Sequence, residues 1–180
     1  ISIGAGDDKS GWFSAYVSAY ADADTGDASV SDVTIGDMSL VAGDNLASGG
    51  DLYVEFDARV AGTGDASVGN VTVGDMSISV GDSNTGSSEF DVDVSAAVTG
   101  TGNASIGNVT IGDMSSVSGD RGTAGADVSI DADARADIGN ATVGNITVGD
   151  ISITGGDSAT GTHEVDINVL ASVATTGDAT

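Results

Sequence analysis

The sequence predicts an all-β protein, a β-solenoid of about five coils with 37 to 38 residues per repeat, and three observations predict it. Glycine-aspartate pairs place acids at Asp37, Asp75, Asp113 and Asp150, and a second set falls at Asp7, Asp44, Asp82, Asp120 and Asp157, so two independent columns keep one period. Long segments alternate apolar and polar residues, as in Leu52, Val54, Phe56, Ala58 and Val60 and again in Phe90, Val92, Val94, Ala96 and Val98. That is the two-residue period of a strand with one dry face. Between them run triplets such as Val71-Thr72-Val73, each followed by Gly-Asp or Gly-Asn. No apolar stripe recurs at helical spacing, and β-branched residues together with 28 glycines argue against a helix. Units that bury little alone become stable when stacked, each setting its Val and Ile on those of the rung above. The competing arrangement is an antiparallel meander of the triplets, with the Gly-Asn and Gly-Asp pairs as two-residue turns.

One domain spans 1–180: a partial repeat over 1–27, repeats over 28–65, 66–103, 104–140 and 141–178, and 179–180 beginning another. The first long strand points Ala15, Val17, Ala19, Ala21 and Ala23 inward and carries Trp12, Tyr16 and Tyr20 on the opposite face, where other repeats carry mostly acids. An outward aromatic stripe on a terminal rung is a candidate subunit contact or sugar platform, with the cover of an adjacent loop as the plainer role. The later inward sets read Val128, Ile130, Ala132, Ala134, Ala136 and then Val165, Ile167, Val169, Ala171, Val173. At the corners, glycine is expected for its tolerance of positive φ, and the acid or amide for a bond back to the backbone. The opening ISIGAGDD matches ISITGGDS from Ile151, and the closing TGDAT matches TGDAS from Thr25, so the sequence begins and ends inside a repeat. With no polar cap evident, unpaired terminal rungs predict head-to-tail association, and a piece of a longer array is the alternative.

A net charge of −24, from 28 acids against Lys9, Arg59, Arg121 and Arg135, repels nucleic acid and anionic membrane surfaces. No apolar stretch approaches the roughly 20 residues that span a bilayer, so no membrane insertion is expected. Without cysteine there are neither disulfides nor thiolate metal sites. Stacking Asp37, Asp75, Asp113 and Asp150, or Asp44, Asp82, Asp120 and Asp157, sets like charges about 5 Å apart, which calls for protonation, divergence into solvent or a shared cation. Calcium, a hard ion that takes carboxylate and carbonyl oxygens in flexible numbers, is the cofactor this chemistry points to; solvated turn acids are the alternative. The column Asp32, Asn70, Asn108, Asn145 suggests an amide ladder.

Asn70, Asn103, Asn108, Asn140 and Asn145 satisfy the N-x-S/T glycosylation pattern, although Ser or Thr also follows simply as the outward residue of each triplet. Thr34, Thr72, Thr110 and Thr147 form a hydroxyl column of the kind that suits ice. Catalysis is not expected. His163, the sole histidine, and Glu164 point to opposite faces of a strand, and neither a phosphate-cradling loop nor a nucleophile elbow is present.

Residues 106 to 115, I-G-N-V-T-I-G-D-M-S, resemble the hexapeptide repeats of left-handed β-helix acyltransferases, with an aliphatic residue, glycine and Asn or Asp at a corner, but here at the spacing of five that separates Val68, Val73 and Ile78. Pentapeptide-repeat proteins share that spacing and a small residue such as Ala66 two before the aliphatic, without the long alternating strand. Calcium-binding RTX repeats also compare, without their G-G-x-G-x-D. Over its whole length the chain resembles repetitive secreted and cell-surface bacterial and archaeal proteins that form stalks, adhesins and fibres. The resemblance implies an extracellular or cell-surface structural subunit that polymerises with itself, with an adhesive module for carbohydrate or ice as the alternative.

Overall fold

The computed structural model describes residues 1–7, 13–45, 49–121, 125–158 and 160–180. The first coil runs through β1 (Ser2–Ala5), β2 (Phe13–Ala23), β3 (Ala28–Val30) and β4 (Val33–Ile35). The second runs through β5 (Met38–Ala42), β6 (Gly50–Val60), β7 (Ala66–Val68) and β8 (Val71–Val73). The third has β9 (Met76–Val80), β10 (Ser88–Thr101), β11 (Ala104–Ile106) and β12 (Val109–Ile111), and the fourth has β13 (Met114–Ser118), β14 (Ala126–Ile138), β15 (Ala141–Val143) and β16 (Ile146–Val148). A further partial coil adds β17 (Ile151–Gly155) and β18 (His163–Thr176).

Strands from successive coils stack into four parallel sheets: sheet A (β1-β5-β9-β13-β17), sheet B (β2-β6-β10-β14-β18), sheet C (β3-β7-β11-β15) and sheet D (β4-β8-β12-β16). Register follows the sequence period. Met38 lies beside Met76 and Met76 beside Met114, while Val54 lies beside Val92 and Val92 beside Ile130. The chain is therefore a β-solenoid of four complete coils and part of another, with no helix among the described residues.

The antiparallel meander is excluded by its geometry as well as by the pairing. A type II′ hairpin turn needs positive φ at its leading glycine, and Gly69, Gly74, Gly107 and Gly112 do not take it. The expected positive φ is taken at the corner that leads into sheet C, by Gly26, Gly64, Gly102, Gly139 and Gly177, while the corner glycines without it have a different reason. A Cβ on Gly112 would lie 2.4 Å from the Asp75 Oδ1 of the coil before, so glycine is required there by close approach and not by φ.

One core fills the interior. Phe56, Phe90, Leu52, Met38, Met76 and Ile130 are all at most 1% exposed, and the inward positions of the three-residue strands join them. Each inward side chain packs on its counterpart one rung along, so burial accumulates along the stack and falls off at its ends.

Candidate functional site

Three features outside the core are candidates for function: the corners, the outer face of sheet B and the two ends of the stack. At the corners the chain turns between sheets, and a backbone N–H there faces the coil before it. That N–H donates to the side-chain Oδ1 of the Asp or Asn at the same position of that coil. The bonds Asp75→Asp37, Asp113→Asp75 and Asp150→Asp113 are 2.9 to 3.1 Å. The bonds Asp44→Asp7, Asp82→Asp44, Asp120→Asp82 and Asp157→Asp120 are 2.7 to 3.1 Å.

The predicted amide column does the same through Asn70→Asp32, Asn108→Asn70 and Asn145→Asn108, with Asn70 Nδ2 also 3.3 Å from Asp32 Oδ1. A fourth ladder, Asp65→Asp27, Asn103→Asp65, Asn140→Asn103 and Asp178→Asn140, escaped the sequence reading, though the recurring T-G-D/N marked it. Acid and amide interchange along the last two ladders because the position needs an acceptor oxygen, which both supply.

The ladders decide how the predicted site residues stand. Each carboxylate of the two aspartate columns except the last, Asp150 and Asp157, turns Oδ1 onto the backbone of the coil after it, and Asp37, Asp75, Asp113 and Asp150 line a shallow groove with Ser39, Ser77, Ser115 and Ser152. Among the described residues no three acids or histidines converge as a ready metal-ligand set. Asn70, Asn108 and Asn145 occupy one exposed ladder and Asn103 and Asn140 another. Thr34, Thr72, Thr110 and Thr147 form an exposed column on sheet D, in register from rung to rung. His163 accepts the Ala126 N–H at Nδ1, 3.1 Å away, closing the start of β14.

The outer face of sheet B concentrates charge. Asp91 and Asp93 on β10 lie between Tyr53, Glu55 and Asp57 on β6 and Ser129, Asp131 and Asp133 on β14. Burial, reinforced by these like charges, pushes the carboxyls of Asp91 and Asp93 up to about 6. Asp57 is buried, with Arg59 Nε at 2.6 Å and Ser95 Oγ donating at 2.7 Å; Arg135 pairs in the same way with Asp133.

At the β2 edge of this face lies the aromatic cluster. Tyr16 stacks on Tyr53 with ring centroids 4.8 Å apart and an interplanar angle of 11°. The Tyr16 and Tyr20 hydroxyls are 2.7 Å apart, and both donate to Glu55 Oε2. Those donors hold the Glu55 carboxyl below its usual range, and burial, with neighbouring acids, pushes the Tyr53 phenol up to about 12. Tyr16 and Tyr20 are thus brought together as expected, while Tyr53 and Glu55 were missed, although the period alone sets Tyr53 beside Tyr16. Trp12 lies outside the described residues.

The ends differ from the middle. On β18, Val165, Ile167 and Val169 are 49, 46 and 53% exposed, whereas their β14 counterparts Val128, Ile130 and Ala132 are at most 2% exposed. Compared with known proteins, the chain matches no family model, no curated protein and no solved structure at a significant level.

Proposed function

We propose that the chain is a structural subunit of an extracellular filament, matrix or cell-surface appendage, assembling head-to-tail through the ends of its solenoid. The observation that carries this reading is the bare stripe of Val165, Ile167 and Val169 along a sheet edge, beside backbone donors and acceptors that the next rung of a parallel sheet would satisfy. A second copy stacked on β18 covers the stripe and extends the two corner ladders that end at Asp157 and Asp178. The mechanism is mechanical: stacked ladders give stiffness, and the acidic coat keeps fibres hydrated and apart. Calcium shared between neighbouring corner carboxylates belongs to this reading as the ion that tunes lateral association. The extracellular setting rests on the likeness to repetitive secreted and surface proteins. No catalytic role is proposed.

Sedimentation across a hundredfold concentration range, with negative-stain microscopy of the same samples, tests the proposal. Concentration-dependent growth into thin fibres, abolished by Ile167→Asp, is expected. A monomer at every concentration refutes it.

A second reading is favoured by one observation. Tyr16 and Tyr20 are 55 and 54% exposed, with their hydroxyls fixed on Glu55, an arrangement that offers ring faces and polar groups to a sugar. The chain is then an adhesive module of a surface protein, and glycan-array binding lost in Tyr16→Ala supports that role.

A further inference from the structure

We infer that copies of the chain join in one register, β18 of one pairing in parallel with β2 of the next so that Leu170 lies over Tyr20 and Asp166 over Tyr16; this rests on the head-to-tail reading above. Within the chain, Phe13, Gly50, Ser88, Ala126 and His163 occupy one column of sheet B. Continuing the column sets Phe13 of a second copy beside His163. Inward, the exposed Val165, Ile167 and Val169 then meet Ala15, Val17 and Ala19, large residues landing on small ones.

The outer face supplies the charge argument. Inside the chain, acid faces acid at five rung contacts: Asp51–Glu89, Glu89–Asp127, Asp127–Glu164, Glu55–Asp93 and Asp93–Asp131. Across the proposed junction the facing pairs are Glu164–Ser14, Asp166–Tyr16, Asn168–Ser18, Leu170–Tyr20 and Ser172–Asp22, and no acid faces an acid. Leu170 is a large apolar residue on the otherwise polar outer face of β18, 44% exposed, and the junction gives it the Tyr20 ring. The junction therefore brings together two outer faces with no opposed acids, as β2 and β6 already do within the chain, at the point where like charge would otherwise oppose association.

The corner ladders fix the register. They are directional, because each coil donates its corner N–H to the coil before and offers Oδ1 to the coil after. The C-terminal end thus presents acceptors at Asp157 and Asp178, and the N-terminal end presents the N–H groups of Asp7 and Asp27 in the same two columns. Sheet A agrees, with Ile151-Ser152-Ile153 meeting Ile1-Ser2-Ile3. A slip of two residues on sheet B keeps inward side chains inward but breaks both ladders.

The chain lacks cysteine, so disulfide trapping reads the register without background. Adjacent rungs about 4.8 Å apart fall within disulfide reach, while a two-residue offset of about 8 Å does not. Tyr20 and Leu170 sit at opposite ends of one chain, so a Tyr20→Cys, Leu170→Cys variant bonds only between copies. Non-reducing electrophoresis after mild oxidation should give a ladder of covalent dimers, trimers and longer species, at least about tenfold more than from Asp22→Cys, Leu170→Cys. Equal trapping of the offset pair, or none from the matched pair while the cysteine-free chain still assembles in sedimentation, overturns the register and leaves assembly standing. A cysteine-free chain that stays monomeric overturns both.

Discussion

Replacing Asp93 by asparagine should stabilise the solenoid at neutral pH, although it removes a native charged residue. Asp93 lies on the outer face of sheet B, and burial together with Glu55, Asp131, Asp57 and Asp133 raises its carboxyl from the ordinary 3.8 to about 6. At roughly 1.4 kcal/mol per pH unit that shift corresponds to about 3 kcal/mol. The group is only half-buried, so solvent screening reduces the figure to about 1 to 1.5 kcal/mol. The folded chain holds this proton more tightly than the unfolded one, so stability from this group falls as pH rises. The loss begins above the unfolded value of 3.8 and is complete above about 6. Asparagine keeps the shape and cannot ionise, so the variant should melt about 2 to 6 °C above the parent chain at pH 7. The two melting curves should converge at pH 4. Thermal melts followed by circular dichroism at pH 4, 5, 6 and 7, at fixed ionic strength and low protein concentration, measure this. A variant that is less stable at pH 7, or a difference that does not change with pH, refutes the reasoning.

Three further outcomes are expected. Asp75→Ala removes the acceptor for the Asp113 N–H and should cost about 1 kcal/mol in urea unfolding, while Asp75→Asn, which keeps the oxygen, should stay within about 0.5 kcal/mol. If calcium joins the corner carboxylates, a chelator lowers the melting temperature of the parent chain and has a smaller effect on Asp75→Asn; identical melts with chelator and with added calcium remove the ion from the proposal. Phe90→Ala empties the middle of the stack and should destabilise by about 3 to 5 kcal/mol in the same unfolding assay.

Much of this architecture was legible because a tandem repeat writes its third dimension into one. A residue 37 or 38 positions along is the neighbour one rung away, so the aspartate columns, the alternation of Leu52 to Val60 and the exposed tyrosines could be placed before any coordinate was known. The same arithmetic holds the Tyr53 neighbour of Tyr16 and the acid-free match between β2 and β18, but only once β2 is known to pair with β6 in parallel and not with a hairpin partner.

What the tertiary structure alone decided lies at the corners. From the sequence, Gly-Asp reads as a corner bonded back to the backbone, as a hairpin turn or as a metal ligand, because those roles differ in where the Oδ1 points and not in which residues are written. The distance between coils sets where Oδ1 goes: the carboxylate of one coil fills the space that a Cβ on the next coil's glycine would need, and there it accepts the backbone N–H. Sequence alone determined the period, the strands and their dry face, since these follow from backbone geometry and burial. The partner of each corner atom depends on packing between coils, which only the folded stack supplies.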